Sequence, residues 1–269
     1  MSEVRSVGLV AGNGRFPVLF ARGARAAGVR VVAAAQRGET DPALEAEVDA
    51  FAWFHIGQFG RIADYLREHG AREAAMVGGI GKLKAFRNAR PDLRTLKLAA
   101  SIRSFNDDAL LRAIAGFFEG EGVRIIPSTE FLSEIVAVAG ALTRRAPSAD
   151  EARDIALGRE VAGAIGRADV GQTVVVRAGS VIAVEAAEGT DACIRRAGEL
   201  AGEGIVVVKR CKPGQDERFD LPAIGPGTID SIAAAKGRVL AIEAGRTIVI
   251  DAEELVRRAD EAGVAVVAG

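Results

Sequence analysis

Short apolar runs alternate with stretches whose apolar positions recur at helical spacing, and the alternation starts at the sixth residue. "SVGLVA" (6–11) has the continuous apolar character of a buried strand. "FPVLFARGARAAG" (16–28) carries proline in what would be its first turn, where a missing N–H does no harm, and predicts a helix. "VRVVAAA" predicts a second strand. Residues 57–69 place Ile62, Tyr65 and Leu66 on one side of a helix. "EAAMVGGIG" predicts a strand running into a glycine loop, "DDALLRAIAGFFEG" (107–120) a helix with two acids at its dipole-favoured start, and "VRIIP" a further strand. Strand and helix in turn, with short connections, predict a parallel sheet covered on both faces.

The pattern breaks at "ALTRRAPSADEARD" (141–154), where arginines, a proline and polar residues interrupt the apolar runs. Ser148 and Glu151 have the spacing of a capping box for the helix predicted over 149–168. A domain boundary placed here gives an N-terminal glycine-loop α/β domain, 1–143, and a C-terminal α/β domain, 144–269. In the second, "TVVV" and "VIAVEA" predict strands joined by the hairpin-length turn "RAGS". A helix over 191–200 leads to the strand "GIVVVK" (204–209). A proline- and glycine-rich loop then reaches a helix over 228–236 with Thr228 as its cap. "RVLAIEAGRTIVID" supplies two strands around a glycine turn, "AEELVRRADEAG" a helix, and "VAVVA" the last strand. The fold class expected is α/β: a Rossmann-like parallel-sheet domain followed by a second, mixed α/β domain. No repeat period suggests a solenoid.

Composition narrows the chemistry. Of 269 residues 49% are hydrophobic and 26% charged, and the net charge is −1. That balance suits a globular protein with a sizeable core and gives no basic field for nucleic acid. The first residues hold too short an apolar run for a signal peptide, and no window reaches the about twenty apolar residues of a membrane span. The two cysteines, Cys193 and Cys211, suit reduced cytoplasmic thiols. The two histidines, His55 and His69, leave little for a histidine metal site or a Ser-His-Asp triad. His69 precedes Gly70 at a helix end, and a place beside the last carbonyls suits it. Any chemistry therefore falls to carboxylates, lysines, arginines and a hard cation.

Five stretches could hold such chemistry. "VAGNGRFP" puts Gly12, Asn13, Gly14 and Arg15 between a strand and a helix, as a phosphate-approaching turn or a plain tight one. It lacks the third glycine of a dinucleotide fingerprint, and no acid ends the second strand, although Glu39 follows soon after. "GGIGK" offers Gly79 and Lys82 after another strand, at the carboxyl edge where α/β sheets bind ligands, or as a solvated turn. The basic run Lys84, Arg87, Arg90, Arg94, Lys97 is interleaved with leucines, as a solvated face or a surface for lipid headgroups. Asn106-Asp107-Asp108 suits a helix cap and also a hard cation. In "VEAAEGTDACIRR", Glu185, Glu188 and Asp191 crowd around Thr190, and clustered carboxylates repel unless something positive lies among them. Finally "KPGQDERFDLPAIGPGT" (212–228) sets Lys212, Gln215, Asp216, Arg218 and Asp220 between stiffening prolines. Its charges read as facing a ligand shared with the "EGTD" turn: carboxylates for a cation, lysine and arginine for phosphate oxygens. The alternative is a rigid, solvated loop.

"DVGQTVVVRAGSVIAVEAAEGTDACI" followed by "KPGQDERFDLPAIGPGTI" closely resembles the C-terminal domain of the LpxI-type UDP-2,3-diacylglucosamine pyrophosphatases, and "GLVAGNGRFP" with "NDDALLRAI" resembles their N-terminal domain. The resemblance implies a Mg²⁺-dependent hydrolase of lipid A biosynthesis that cleaves UDP-2,3-diacylglucosamine to UMP and 2,3-diacylglucosamine 1-phosphate (lipid X), with water attacking the uridine-side phosphorus. It implies a substrate cleft between the domains, a homodimer, and work on the cytoplasmic face of the inner membrane as a peripheral protein. The essential aspartate of the family's R-x-D-x-P motif matches Asp220, expected to be catalytic and a metal ligand, with Asp191 and Glu188 as further metal ligands. Gln172 and Thr190, within the first motif, join Lys212, Gln215 and Arg218 as substrate-binding candidates, beside Gly12, Asn13, Gly14, Arg15, Gly79 and Lys82. Two other readings stay open on the residues alone: a nicotinamide-dependent oxidoreductase, and a nucleotide-sugar or lipid binder without catalysis.

Overall fold

A computed structural model describes residues 5–80, 89–102, 107–219 and 221–269. The chain divides into two compact units, Met1–Ser133 with Asp216–Asp220, and Glu134–Gln215 with Leu221–Gly269. The stretch 216–220 thus belongs with a unit whose remaining residues lie more than eighty positions earlier.

The first unit is built on the parallel sheet that the alternating pattern predicts. Its strands are β1 (Ser6–Ala11), β2 (Arg30–Gln36), β3 (Ala50–Phe54), β4 (Glu73–Val77) and β5 (Arg124–Ile125), in the order β3-β2-β1-β4-β5. The helices are α1 (Phe16–Ala26), α2 (Phe59–Glu68), α3 (Leu93–Ser101) and α4 (Asp107–Gly120). Successive strand side chains point to opposite faces. Val32, Ala34, Ala74 and Met76 accordingly pack with Ile62, Ala63 and Leu66 of α2 and Ala115 and Phe118 of α4. Val7, Leu9, Val31 and Ala33 are fully buried at the alternate positions. α1 carries Pro17 in its first turn and is followed by Gly28, whose φ of +73° suits a residue without Cβ. There the Val29 N–H donates to the Ala24 carbonyl and closes the last turn. The run "VRIIP" pairs over only two residues, so β5 is a short edge strand.

The second unit is mixed, as predicted. Its strands are β6 (Gly140–Ala141), β7 (Thr173–Arg177), β8 (Ser180–Val184), β9 (Val206–Lys209), β10 (Ala223–Ile224), β11 (Val239–Ile242), β12 (Ile248–Val249) and β13 (Ala265–Ala268). Its helices are α5 (Ala149–Arg167), α6 (Thr190–Ala201), α7 (Pro226–Ala234) and α8 (Ala252–Ala262). One sheet has the order β6-β13-β11-β9-β7-β8, parallel through β13, β11 and β9 and antiparallel elsewhere. β10 and β12 form a separate parallel pair. The strands either side of the "EAGRT" turn therefore enter different sheets.

Local signals account for these elements. The capping box at α5 is present: Glu151 N–H donates to Ser148 Oγ at 3.3 Å, and Ser148 N–H donates to Glu151 Oε2 at 2.8 Å. "RAGS" is a two-residue hairpin turn with Ala178 and Gly179 both at positive φ. The carboxylate of buried Asp154 holds it, accepting from the Ala178 and Gly179 amides at 2.9 and 2.7 Å. α7 begins two residues earlier than its expected cap, because Pro226, with φ already helical, takes the first position. Thr228 falls inside the first turn, where its hydroxyl accepts the Gly225 N–H at 3.4 Å.

Candidate active site

The two glycine loops of the first unit meet at the carboxyl edge of the sheet, where β1 and β4 lie side by side. The Gly12 N–H donates to Val77 O at 2.8 Å and the Asn13 N–H to Gly79 O at 2.7 Å. The backbones come so close that a Cβ on Gly12 would lie 2.3 Å from Gly79 O, and one on Gly78 2.4 Å from Asn13 O. Gly14, at φ +83°, faces open space, and Arg15 follows as the residue capping α1. Asn13 Nδ2 donates to Glu39 Oε2 at 2.8 Å, so the acid noticed beyond the second strand does return to the first loop. Thr40 fixes that return, its hydroxyl donating to Ala11 O at 2.7 Å and accepting the Gln36 N–H at 2.8 Å. Gln36 itself is buried, and its side-chain amide has no hydrogen-bond partner among the described residues. Lys82 lies outside the described residues.

His69 takes the place beside the last helical carbonyls that was expected of it. His69 Nδ1 sits 2.8 Å from Tyr65 O at the end of α2. His55, after β3, has its pKa lowered, first by burial and then by Arg90 and Arg37.

The loop 212–228 is divided between the units. Lys212 Nζ pairs with Asp169 at 2.6 Å, and Gln215 Oε1 accepts from the Lys212 amide at 2.8 Å and from Cys211 Sγ at 3.0 Å. Both side chains thereby brace the loop itself. In the first unit Arg218 pairs with Asp216 at 2.9 Å and Glu119 at 2.8 Å, and its guanidinium lies over the Phe219 ring. The Arg218 hydrogen bond, outweighing burial, holds the Asp216 carboxyl below the ordinary aspartate range. Asp220 lies outside the described residues.

The second unit gathers the rest of the predicted site at the carboxyl ends of β8 and β9. Glu185 follows β8, Thr190 and Asp191 open α6, and Lys209 ends β9 opposite Thr173 of β7. Lys209 is 6% exposed and Glu185 7%. Lys209 Nζ donates to Thr190 Oγ1 at 3.2 Å and to Ala223 O at 3.0 Å, and Thr190 Oγ1 donates to Glu185 Oε1 at 3.0 Å. The other Glu185 oxygen is buried without a hydrogen-bond partner among the described residues. Burial pushes the Lys209 pKa down, and the charges of Glu185 and Asp191 oppose that shift. Gln172, one residue before β7, also keeps a buried Oε1 without a hydrogen-bond partner among the described residues. Sequence reasoning passed over Lys209. Its signal was a lysine closing the otherwise apolar run "GIVVV", in a strand flanked by two others.

The positive charge that the crowded acids require is thus Lys209, inside, and Arg196, outside. Arg196 pairs with Glu188 at 2.6 Å, while the second Glu188 oxygen accepts the Ala186 N–H at 3.0 Å. Asp191 is exposed. It accepts the Ser231 hydroxyl at 3.0 Å and lines a groove of 620 Å³ with Arg195, Glu199, Asp230, Ser231 and Lys236. Among the described residues no group of three or more His, Cys, Asp or Glu is assembled for a metal. Magnesium needs only one or two carboxylates, its remaining ligands being water and phosphate oxygens, so an exposed Asp191 fits it in kind. Thiol chemistry is not on offer at Cys193, which burial pushes up to about 12.

Models described as the LpxI N-terminal domain and the LpxI C-terminal domain match residues 6–135 and 138–267. The chain is 37% identical to the UDP-2,3-diacylglucosamine pyrophosphatase LpxI of Caulobacter vibrioides, over 97% of this chain and 96% of that protein. Among solved structures it is similar to the biotin carboxylase subunit of pyruvate carboxylase, at 16% identity and a TM-score of 0.27, over 74% of this chain and 42% of that one. A likeness that slight carries no argument. Matched almost end to end by the two domain models together, and by a relative aligned over nearly all of both chains, the chain belongs to the LpxI family.

Proposed function

We propose that this protein hydrolyses the pyrophosphate bond of UDP-2,3-diacylglucosamine in lipid A biosynthesis, releasing UMP and 2,3-diacylglucosamine 1-phosphate. The observation that carries the reading is the 37% identity, over nearly all of both chains, to a relative named for that substrate. In the reaction a water oxygen bonds to the uridine-side phosphorus. The bond from that phosphorus to the bridging oxygen breaks, the bridging oxygen leaves on the sugar phosphate, and the water proton passes to a carboxylate.

Acids and cations suffice for such a step, since its demands are to place the water and neutralise phosphate charge. Asp220 is the residue we assign to the reacting centre, as metal ligand or base, with Asp191 as the second acid. Glu188, already held by Arg196, supports the turn before α6. Mg²⁺ held by Asp220 and Asp191 would supply positive charge beside the phosphate oxygens. The turns at Gly12–Arg15 and Gly79 supply the parallel-sheet edge at which nucleotides bind in α/β proteins, Thr190 directly precedes the second acid in the chain, and Gln172 stays a substrate-binding candidate.

Peripheral contact with the inner membrane, on its cytoplasmic face, is part of the proposal. Among the described residues no helix is long and apolar enough to cross a membrane, while α3 exposes Leu93 and Leu96 beside Lys97. A homodimer is expected from the family resemblance, and light scattering reads it.

The deciding assay incubates the full chain with UDP-2,3-diacylglucosamine and Mg²⁺, with and without chelator, and follows UMP. Asp220→Ala should lower turnover by roughly 10³-fold with the protein still folded. Retained turnover removes Asp220 from the mechanism, and substrate recovered intact from the parent chain makes the protein a binder.

A further inference from the structure

A carboxylate that holds a hydrated divalent ion has to offer an oxygen in a fixed direction, because Mg²⁺ demands a near-octahedral shell and keeps most of its water. An exposed aspartate on the first turn of a helix is ordinarily free to rotate. Ser231 takes that freedom from Asp191. Its hydroxyl, on α7, donates to Asp191 Oδ1, on the first turn of α6, at 3.0 Å. A serine inside a helix commonly turns its hydroxyl back to a carbonyl of its own preceding turn, and Ser231 instead reaches across to the neighbouring helix. Both helices are firmly seated. Ile229 and Ile232 of α7 and Cys193 and Ile194 of α6 are buried in one core. Farther along, α6 meets the end of α7 at Gly198, where a Cβ would lie 2.7 Å from that of Ala235. Asp191 Oδ2 has no bond among the described residues, and the side chain is exposed along the groove of 620 Å³.

Resting on the role given to Asp191 above, we infer that Ser231 is a positioning residue for divalent-cation binding. Its hydroxyl holds one Asp191 oxygen toward α7 and so presents the other to the groove as a single-oxygen ligand. Ser231 touches neither cation nor substrate and acts through Asp191. Both residues belong to the second unit. Hydrogen bonds that orient a metal-binding carboxylate are worth about tenfold to a hundredfold in metal affinity.

The test titrates Mn²⁺, an EPR-visible replacement for Mg²⁺, into the full chain and into Ser231→Ala, Ser231→Thr and Asp191→Asn. Alanine favours a helix more than serine does, so Ser231→Ala should stay folded. It should weaken Mn²⁺ binding roughly ten- to a hundredfold and raise the Mg²⁺ concentration for half-maximal UMP release by the same factor, with kcat at saturating Mg²⁺ within about threefold of the parent. Ser231→Thr keeps the hydroxyl and should stay within about threefold of the parent in both measurements. Parental Mn²⁺ affinity in Ser231→Ala, beside a loss in Asp191→Asn, overturns the positioning role alone. Equal weakening in Ser231→Ala and Ser231→Thr overturns it too, since the hydroxyl is then not the cause. Parental affinity in Asp191→Asn removes Asp191 from the cation and the inference with it, as does a parent that binds no Mn²⁺. A parent that binds Mn²⁺ but leaves UDP-2,3-diacylglucosamine intact sinks the proposed reaction, and the Mn²⁺ titrations still decide on Ser231.

Discussion

Arg218 shows how a residue that looks free in the sequence can be fully engaged. Its guanidinium reaches Asp216 and Glu119 and covers the Phe219 ring, while its carbonyl accepts the Ser128 N–H at 2.6 Å. The Asp216 carboxyl, held below its ordinary value by Arg218, adds stability that depends on pH. A depressed carboxyl pKa contributes fully above the unfolded value, about 3.9, and its contribution is lost as pH falls through the folded one. Because the Arg218 side chain is 38% exposed, screening keeps the effect near 1 kcal/mol or less. Asp216→Asn should therefore lower the urea midpoint slightly at pH 7, and the gap from the parent should close below about pH 4. A gap of constant size from pH 7 to pH 3 would show that the ion pair is not its source.

Among the elements, those drawn from regular patterns were legible and those shaped by tertiary contacts were not. The strands β1, β2, β4 and β9 are apolar runs because both faces of their sheets are covered, and α5 announces itself through Ser148 and Glu151. α3 did not show in the pattern, because its leucines alternate with bases and do not form a stripe toward a core. It is fixed instead by Asp92, whose side chain accepts the Thr95 N–H at 2.8 Å and the Arg61 N–H at 3.0 Å. The site was half legible. The "EGTD" turn and the need for a cation among its acids could be read, but Lys209 was hidden in its strand, and no spacing rule says that β9 ends against β7 and the start of α6. The exposed side of α3 has a consequence of its own. Leu93 is 78% and Leu96 49% exposed, beside Lys97, as on a helix lying at a lipid surface. Leu93→Ser with Leu96→Ser should weaken cosedimentation with anionic vesicles about tenfold or more, since each leucine withdrawn from lipid forfeits about 1.5–3 kcal/mol. Binding unchanged by the double substitution would place the membrane contact elsewhere.

At the scale of the molecule the chain does not finish one unit before starting the next. It completes residues 134–215 as part of the second unit, gives 216–220 to the first, and returns at Leu221. Phe219 is the apolar anchor of that excursion. It packs against the cluster that holds Ile62 and Leu66 of α2 with Phe118 of α4, and Glu119 of the same helix pairs with Arg218. The N-terminal core therefore depends on a residue from the C-terminal half, and Asp220 is bonded directly to that anchor. Truncating a half-buried phenylalanine should cost about 1–3 kcal/mol, less than the 3–5 of a fully buried one. In Phe219→Ala the loss should register where the side chain packs. Hydrogen exchange should quicken across 59–68 and 107–125 of the first unit, while β9, β11 and β13 of the second keep their protection. Because Asp220 is the neighbouring residue, turnover should fall beyond what the loss of folded protein explains. Protection lost equally in both units would mean that they unfold as one cooperative body, and protection lost in neither would mean that Phe219 does not anchor the excursion.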